Sequence, residues 1–160
     1  MDKKLDIKPA GLAESKFSKQ ELNYLYNVGV NNFKTKNYQR ALSMFQLLLM
    51  LDANNPLYMK AAAGAYHITK NYLSAILAYR YCYALDPSPM NHDCKFYIGV
   101  CYFETNNWEI AKTEFEDFLK QADKNMPELN KKAQLYLLAI DKKITLAANQ
   151  KNQVDLVMNG

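Results

Sequence analysis

The sequence predicts an all-α fold: three stacked helix pairs closed by one further helix. Three observations carry that prediction. Glycine and proline number only five each among 160 residues, about half their usual share, so turns are few and helix is favoured. A pattern of small and aromatic residues recurs three times. Residues that cap helices fall at the boundaries this repetition sets.

The repetition is explicit. Gly29 is followed eight residues on by Asn37-Tyr38, twelve on by Ala41 and sixteen on by Phe45. Ala63 stands in the same relation to Asn71-Tyr72, Ala75 and Tyr79, and Gly99 to Asn107-Trp108, Ala111 and Phe115. The three anchors lie 34 and 36 residues apart, and each is preceded by an apolar residue: Val28, Ala62 and Ile98. Taken in order, residues 1–17 form a flexible N-terminal segment, interrupted by Pro9 and Gly11. Ser18-Lys19-Gln20-Glu21 has capping-box spacing and starts the first helix of unit 22–55. Asn54-Asn55-Pro56 separates that unit from unit 56–89, and both close alike, with Leu51-Asp52 and Leu85-Asp86. Ser88-Pro89-Met90-Asn91 adds two residues before unit 92–125. Asp123-Lys124-Asn125-Met126-Pro127 then opens a capping helix over 127–147, on which Leu129, Ala133, Tyr136 or Leu137, and Ile140 recur at helical spacing. Such a helix is needed because the last unit of an array otherwise exposes its apolar face. Residues 148–160 read as a frayed tail, and the predicted domain is 18–147.

A 34-residue period with small side chains at the eighth and twentieth positions and an aromatic at the twenty-fourth resembles the tetratricopeptide repeat. The resemblance implies three repeats, each an antiparallel helix pair, forming a short right-handed superhelix with a C-terminal capping helix. Small residues permit close helix approach, so Gly29 is expected against Ala41, Ala63 against Ala75 and Gly99 against Ala111. Phe45, Tyr79 and Phe115 are expected to fill the grooves between units.

Composition and motifs exclude several functions. The longest unbroken aliphatic run, Leu47 to Leu51, is far short of the roughly 18–20 residues that span a bilayer. Met1-Asp2-Lys3-Lys4 leads into Leu5-Asp6-Ile7-Lys8-Pro9, not into an apolar export signal. The formal charge of +4 is mild, and Lys131-Lys132 and Lys142-Lys143 read as solvated helix faces, not as a nucleic-acid footprint. Cys82, Cys94 and Cys101 are an odd number in apolar contexts, expected as buried, reduced thiols in a cytosolic compartment. His92-x-Cys94 with Cys101 lacks a fourth metal ligand at a plausible spacing. There is no phosphate loop, nucleophile elbow or HExxH among two histidines. No enzyme activity, cofactor or metal is expected.

A helical-repeat array without catalytic groups is most economically a binding module. Positions two, five, nine and twelve of each unit, on its first helix, point to the concave side. These are Asn23, Tyr26, Val30 and Phe33, then Leu57, Lys60, Gly64 and His67, then Asp93, Phe96, Val100 and Phe103. The candidate peptide-binding residues are Tyr26, Val30, Phe33, Lys60, Gly64, His67, Phe96, Val100 and Phe103. Lys60 and His67 would supply polar contacts to the guest backbone, and Gly64 would let the guest pass close. The alternative is that the apolar members are covered by the N-terminal segment, the C-terminal helix or a second copy. Repeat proteins that hold the C-terminal carboxylate of heat-shock chaperones carry cationic and amide residues where this chain has Tyr26, Val30, Asp93 and Tyr97, so a carboxylate clamp is not expected.

The segments Phe45-Gln46-Leu47-Leu48 and Gly99-Val100-Cys101, with Lys132-Ala133-Gln134-x-Tyr136-Leu137-x-Ala139-Ile140, resemble the class II chaperones of bacterial type III secretion over about residues 20–145. The resemblance implies a small bacterial cytoplasmic protein that binds hydrophobic translocator subunits, keeps them soluble and apart before export, and grips a proline- and leucine-containing stretch of them in the groove. It further implies no nucleotide, no nucleic acid, no stable membrane insertion, and possible homodimers. The short segment before Ser18 departs from the N-terminal helical region usual in that family and puts dimerisation through it in doubt. A chaperone for another secretion component, such as a needle subunit, or a generic repeat adaptor are the competing readings.

Overall fold

The computed structural model describes residues 17–121 and 126–158. Every regular element among them is helical. The order is α1 (Lys19–Lys34), α2 (Tyr38–Leu51), α3 (Pro56–Ile68), α4 (Tyr72–Leu85), a 3₁₀ turn (Pro89–Asn91), α5 (Asp93–Glu104), α6 (Trp108–Lys120) and α7 (Pro127–Met158). Each helix packs on the next in chain order, which is the repeat architecture expected from the periodicity. The segment before Phe17, and Asp123-Lys124-Asn125 at the end of the third unit, lie outside the described residues.

The helix ends follow from local chemistry. The Ser18 N–H donates to Glu21 Oε2 at 2.7 Å while the Glu21 N–H donates to Ser18 Oγ at 3.3 Å, a reciprocal pair that satisfies two otherwise orphaned donors of α1. Asn55 Oδ1 accepts from the Leu57 and Tyr58 N–H groups, and Pro56 takes the first helical position of α3. The turns inside all three units are the same motif. Thr35-Lys36-Asn37, Thr69-Lys70-Asn71 and Thr105-Asn106-Asn107 each put the middle residue at positive φ, 63°, 61° and 60°. The Asn N–H then reaches five residues back, to Asn32, Tyr66 and Tyr102 carbonyls at 2.8–2.9 Å, closing a Schellman cap. The threonine hydroxyl donates to the carbonyl four residues earlier in each case.

The inserted residues between the second and third units form the 3₁₀ turn. Asn91 is buried there, and its side-chain amide donates to the Asp86 carbonyl and carboxylate, both at 3.0 Å.

Three apolar clusters run along the stack, at α1–α2–α3, α3–α4–α5 and α5–α6–α7. Ala41, Ala75 and Ala111 are fully buried, as the small-residue pattern requires. The aromatic positions differ from expectation in one respect. Phe45 and Phe115 lie against the glycine of their own unit: a Cβ on Gly29 would stand 2.6 Å from Phe45 Cε1, and one on Gly99 would stand 2.9 Å from Phe115 Cε1. The missing methyl is where the ring goes. These rings also reach the following element, Phe45 packing with Tyr58 and Ala62 of α3 and Phe115 stacking on Tyr136 of α7 at 4.9 Å. Polar ties repeat with the units as well: Gln46 Nε2 donates to Tyr66 Oη at 2.8 Å, and Arg80 donates to Tyr102 Oη at 3.3 Å and pairs with Glu114 at 2.9 Å.

The last helix corrects the expected boundary. It runs to Met158, not to about 147, so residues 148–158 are helical where a frayed tail was expected. The apolar periodicity that marks contact with the array stops at Ile144. Beyond it, Thr145-Leu146-Ala147-Ala148 and the residues that follow contain no Pro or Gly before Gly160, so nothing in the sequence breaks the helix there. The three cysteines are buried and free, as expected. Burial pushes the Cys101 thiol up to about 12, which keeps it protonated and inert.

Candidate functional site: an apolar groove along the concave face

The first helix of each unit lines one side of the stack, and α7 closes its far end. Three adjoining hollows lie along this side. The first, about 210 Å³, is bounded by Val30, Phe33, Lys34, Phe45, Lys60, Ala61 and Gly64. The second, about 370 Å³, shares Phe33, Lys60 and Gly64 and adds His67, Ile68, Tyr79, Asp93 and Tyr97. The third, about 500 Å³, shares His67 and Tyr97 and adds Phe96, Val100, Phe103, Lys132, Leu135, Tyr136 and Ala139. Shared walls make them one continuous groove.

Of the candidate residues, Val30, Phe33, Lys60, Gly64, His67, Phe96, Val100 and Phe103 line this groove. Tyr26 does not line these hollows; its ring is drawn into inter-unit packing, 6.0 Å from Phe45 and 5.8 Å from Tyr58. Phe96 and Val100 are less accessible than an open groove wall, at 4% and 8% exposure. Phe96 packs on Phe115 and Phe118, both at 5.6 Å, and on Tyr136 at 6.1 Å. Cover by the C-terminal helix is therefore realised here, and these two residues form the floor of the third hollow. Phe103 remains half-buried, edge-on to Tyr136 at 5.0 Å.

The polar centre also differs from expectation. Lys60 Nζ sits 2.7 Å from Asp93 Oδ1 and donates to the Met90 carbonyl at 2.8 Å, so its charge is matched and one of its donors is already used within the chain. The Met90 carbonyl is delivered by the inserted 3₁₀ turn. His67 lies among the rings of Tyr72, Tyr79 and Tyr97, with centroids 6.0–6.3 Å away. Burial pulls its pKa below the ordinary 6.5, against a smaller upward pull from Glu104, so the imidazole is neutral at pH 7. The groove at neutral pH is thus mostly apolar, with a self-neutralised ion pair at its middle and Lys34 and Lys132 toward its two ends. At Gly64 an added Cβ would meet only Tyr79 Oη, at 3.9 Å. Packing within the chain does not require glycine there, in contrast to Gly29 and Gly99.

Tyr97, Leu135, Tyr136 and Ala139 were not among the sequence candidates. Tyr97 stacks on Tyr79 at 5.4 Å. The α7 residues belong to a second stripe, Lys132, Leu135, Tyr136 and Ala139, beside the Ala133, Leu137 and Ile140 stripe that contacts the array. That spacing of three, four and seven was present in the sequence as a signal. No group of three or more His, Cys, Asp or Glu side chains suited to a metal ion occurs among the described residues. Among them, no helix is long and apolar enough to cross a membrane.

Comparison with known proteins places this geometry. A family model described as "Tetratricopeptide repeat" matches residues 93–125. No curated protein matches the chain. Among solved structures, the Yersinia enterocolitica type III secretion chaperone SycD, in complex with a peptide of the translocator YopD, is similar with TM-score 0.72 and 22% identity, over 80% of this chain and 98% of that one. PcrH of Pseudomonas aeruginosa, in complex with the chaperone-binding region of PopD, is similar with TM-score 0.73 and 22% identity, over 80% and 96%. The first repeat domain of Spaghetti (RPAP3), bound to an HSP90 peptide, gives TM-score 0.68 and 23% identity, over 80% and 96%. At these identities the likenesses establish the fold alone: a tetratricopeptide-repeat-like stack of three helix pairs with a helical cap.

Proposed function

We propose that this protein is a non-enzymatic chaperone that holds an extended, apolar stretch of a type III secretion translocator in its concave groove, keeping that partner soluble and apart before export from the bacterial cytoplasm. The observation that carries the reading is the continuous apolar groove from Val30 to Ala139, on a fold shared with SycD and PcrH, both of which are seen with translocator segments. The physical task is sequestration. A membrane-active subunit exposes apolar surface that aggregates if left uncovered, and a groove of aromatic and aliphatic pockets replaces water around it without chemistry. No nucleotide or cofactor is needed, because nothing is bonded or cleaved. Helix backbones in the groove wall have their own hydrogen bonds satisfied, so recognition falls to side-chain pockets and not to strand pairing. A needle subunit, a generic adaptor client or self-association through the groove are alternative occupants.

Co-expression with a candidate translocator tests this. The wild type should keep the partner in the soluble fraction, and Phe33→Asp with Phe103→Asp should lose that protection while far-ultraviolet circular dichroism stays helical. Phe103 packs on Tyr136, so a second variant is included: Gly64→Leu fills the groove centre without removing a packed side chain. A partner kept soluble equally well by both variants would show that the groove is not the holding site.

A further inference from the structure

We infer that the groove selects a guest whose apolar core is flanked on both sides by acidic residues, and that Lys132 and Lys143 on α7 make that selection. The inference rests on the groove reading above and names the chemistry of its guest.

The α7 wall carries it. Lys132, Leu135, Tyr136, Ala139 and Lys143 lie at offsets of three, four, seven and eleven residues. Eleven residues are about three turns, so both lysines fall on the same line of the helix. Lys132 stands at the lip of the third hollow. Lys143 Nζ lies 5.8 Å from the ring centre of Phe103, which lines the same hollow, and 5.3 Å from that of Trp108. Leu135 between them is 57% exposed, so this wall faces open space. The ion pairs among the described residues are Lys60–Asp93, Arg80–Glu114, Lys112–Asp141 and Lys120–Asp117. Neither Lys132, in the wall of the third hollow, nor Lys143, beside the Phe103 ring that lines it, has a carboxylate partner in that set. Lys112–Asp141 shows that α7 pairs its charges where a partner is in reach.

The remaining charges on this side do not cancel the two lysines. Lys60 and Asp93 neutralise each other. Glu104, at the end of α5, is exposed, and its charge reaches His67 and Tyr136. That gives the α5 side one negative charge and the α7 side two positive ones. Along α7 the two ammonium groups are separated by roughly 16 Å, at about 1.5 Å per residue. An extended peptide covers that distance in about five residues. A guest with Asp or Glu four or six positions apart, on one face of the extended chain, and apolar residues between them, would seat its apolar side chains over Leu135, Tyr136 and Ala139 and its carboxylates at both lips. Exposed pairs of this kind add little affinity each. Their larger effect is to steer encounter and to reject guests with basic flanks.

The test uses a library of random 12-residue peptides displayed on phage, panned against the full chain and filtered for binders lost in the Phe33→Asp, Phe103→Asp double variant. The expected selection carries Asp or Glu on both sides of an apolar core, four or six positions apart. Panning on Lys132→Glu, Lys143→Glu should lose that enrichment or turn it to Lys and Arg. Panning on Lys131→Glu, Lys142→Glu, with the same net charge but side chains turned about 100° round the helix, should keep it. For a selected peptide, fluorescence anisotropy should show roughly three- to tenfold weaker binding to the Lys132, Lys143 variant, with the difference shrinking at high salt. Apolar peptides selected without acidic flanks, or equal losses in both charge-reversed pairs, would overturn the inference and leave the groove reading standing. A selection yielding no peptide that depends on Phe33 and Phe103 would overturn both.

Discussion

At Gly29 a methyl group would come within 2.6 Å of a ring that is itself 2% exposed, whereas at Gly64 it would meet only a phenol oxygen at 3.9 Å. Gly29→Ala must therefore move Phe45, and the overpacking cost of about 1–3 kcal/mol outweighs the gain of about 1 kcal/mol in helix propensity. Gly64→Ala takes that gain without the cost. Urea denaturation should show the first variant destabilised by up to about 2 kcal/mol and the second stabilised by up to about 1 kcal/mol, while peptide binding weakens only in the second. His67 adds a pH dependence. Its folded-state pKa is depressed, so below the ordinary 6.5 the unfolded chain takes up a proton that the folded chain resists. The stability it contributes is present above about pH 6.5 and is lost as pH falls toward the folded-state pKa. Denaturation midpoints measured between pH 7.5 and 5.5 should fall more steeply for the wild type than for His67→Gln. A guest that covers the ring shields it further, so affinity should drop as pH falls below the folded-state pKa of the free chain.

Helix pairs are held together where alanine meets its neighbour. Ala41→Leu, Ala75→Leu or Ala111→Leu should each cost roughly 1–3 kcal/mol, and Gln39→Leu, on an exposed face, should be near neutral; thermal melting of the four variants checks this. These positions were readable from the sequence because close packing constrains side-chain size, and a constraint repeated every 34 or 36 residues is visible without coordinates. The groove was readable only in part. Val30, Phe33 and Gly64 follow from the register of the first helices. Tyr26 has the same register, but the stack draws its ring between units, a tertiary choice that one helix cannot reveal. Lys60 has the register of a groove contact, but the inserted turn brings it a carbonyl and Asp93 a carboxylate. The second stripe of α7 was present in the spacing but masked by the stronger one beside it. The end of α7 was missed because loss of apolar periodicity marks the end of contact, not the end of helix.

In the whole molecule the cap and the groove are the same structure. Tyr136 stacks on Phe115, meets Phe103 edge-on and walls the third hollow, so anything resting in that hollow also presses α7 onto the terminal repeat. A ligand that binds only the folded chain stabilises it by about 2.7 kcal/mol at a hundredfold excess over its dissociation constant. The C-terminal helices α6 and α7, against which the guest rests through Tyr136 and Phe103, should show most of that benefit. Amide hydrogen exchange across α6 and residues 126–144 should slow on peptide saturation more than exchange in α1 and α2. Uniform slowing along the chain would mean that the guest leans elsewhere.

It follows that an emptied carrier is a looser object than a laden one. When its passenger is drawn away, the clasp at the C-terminal end relaxes, and the vacated protein becomes easier prey for proteolysis than it was while in service.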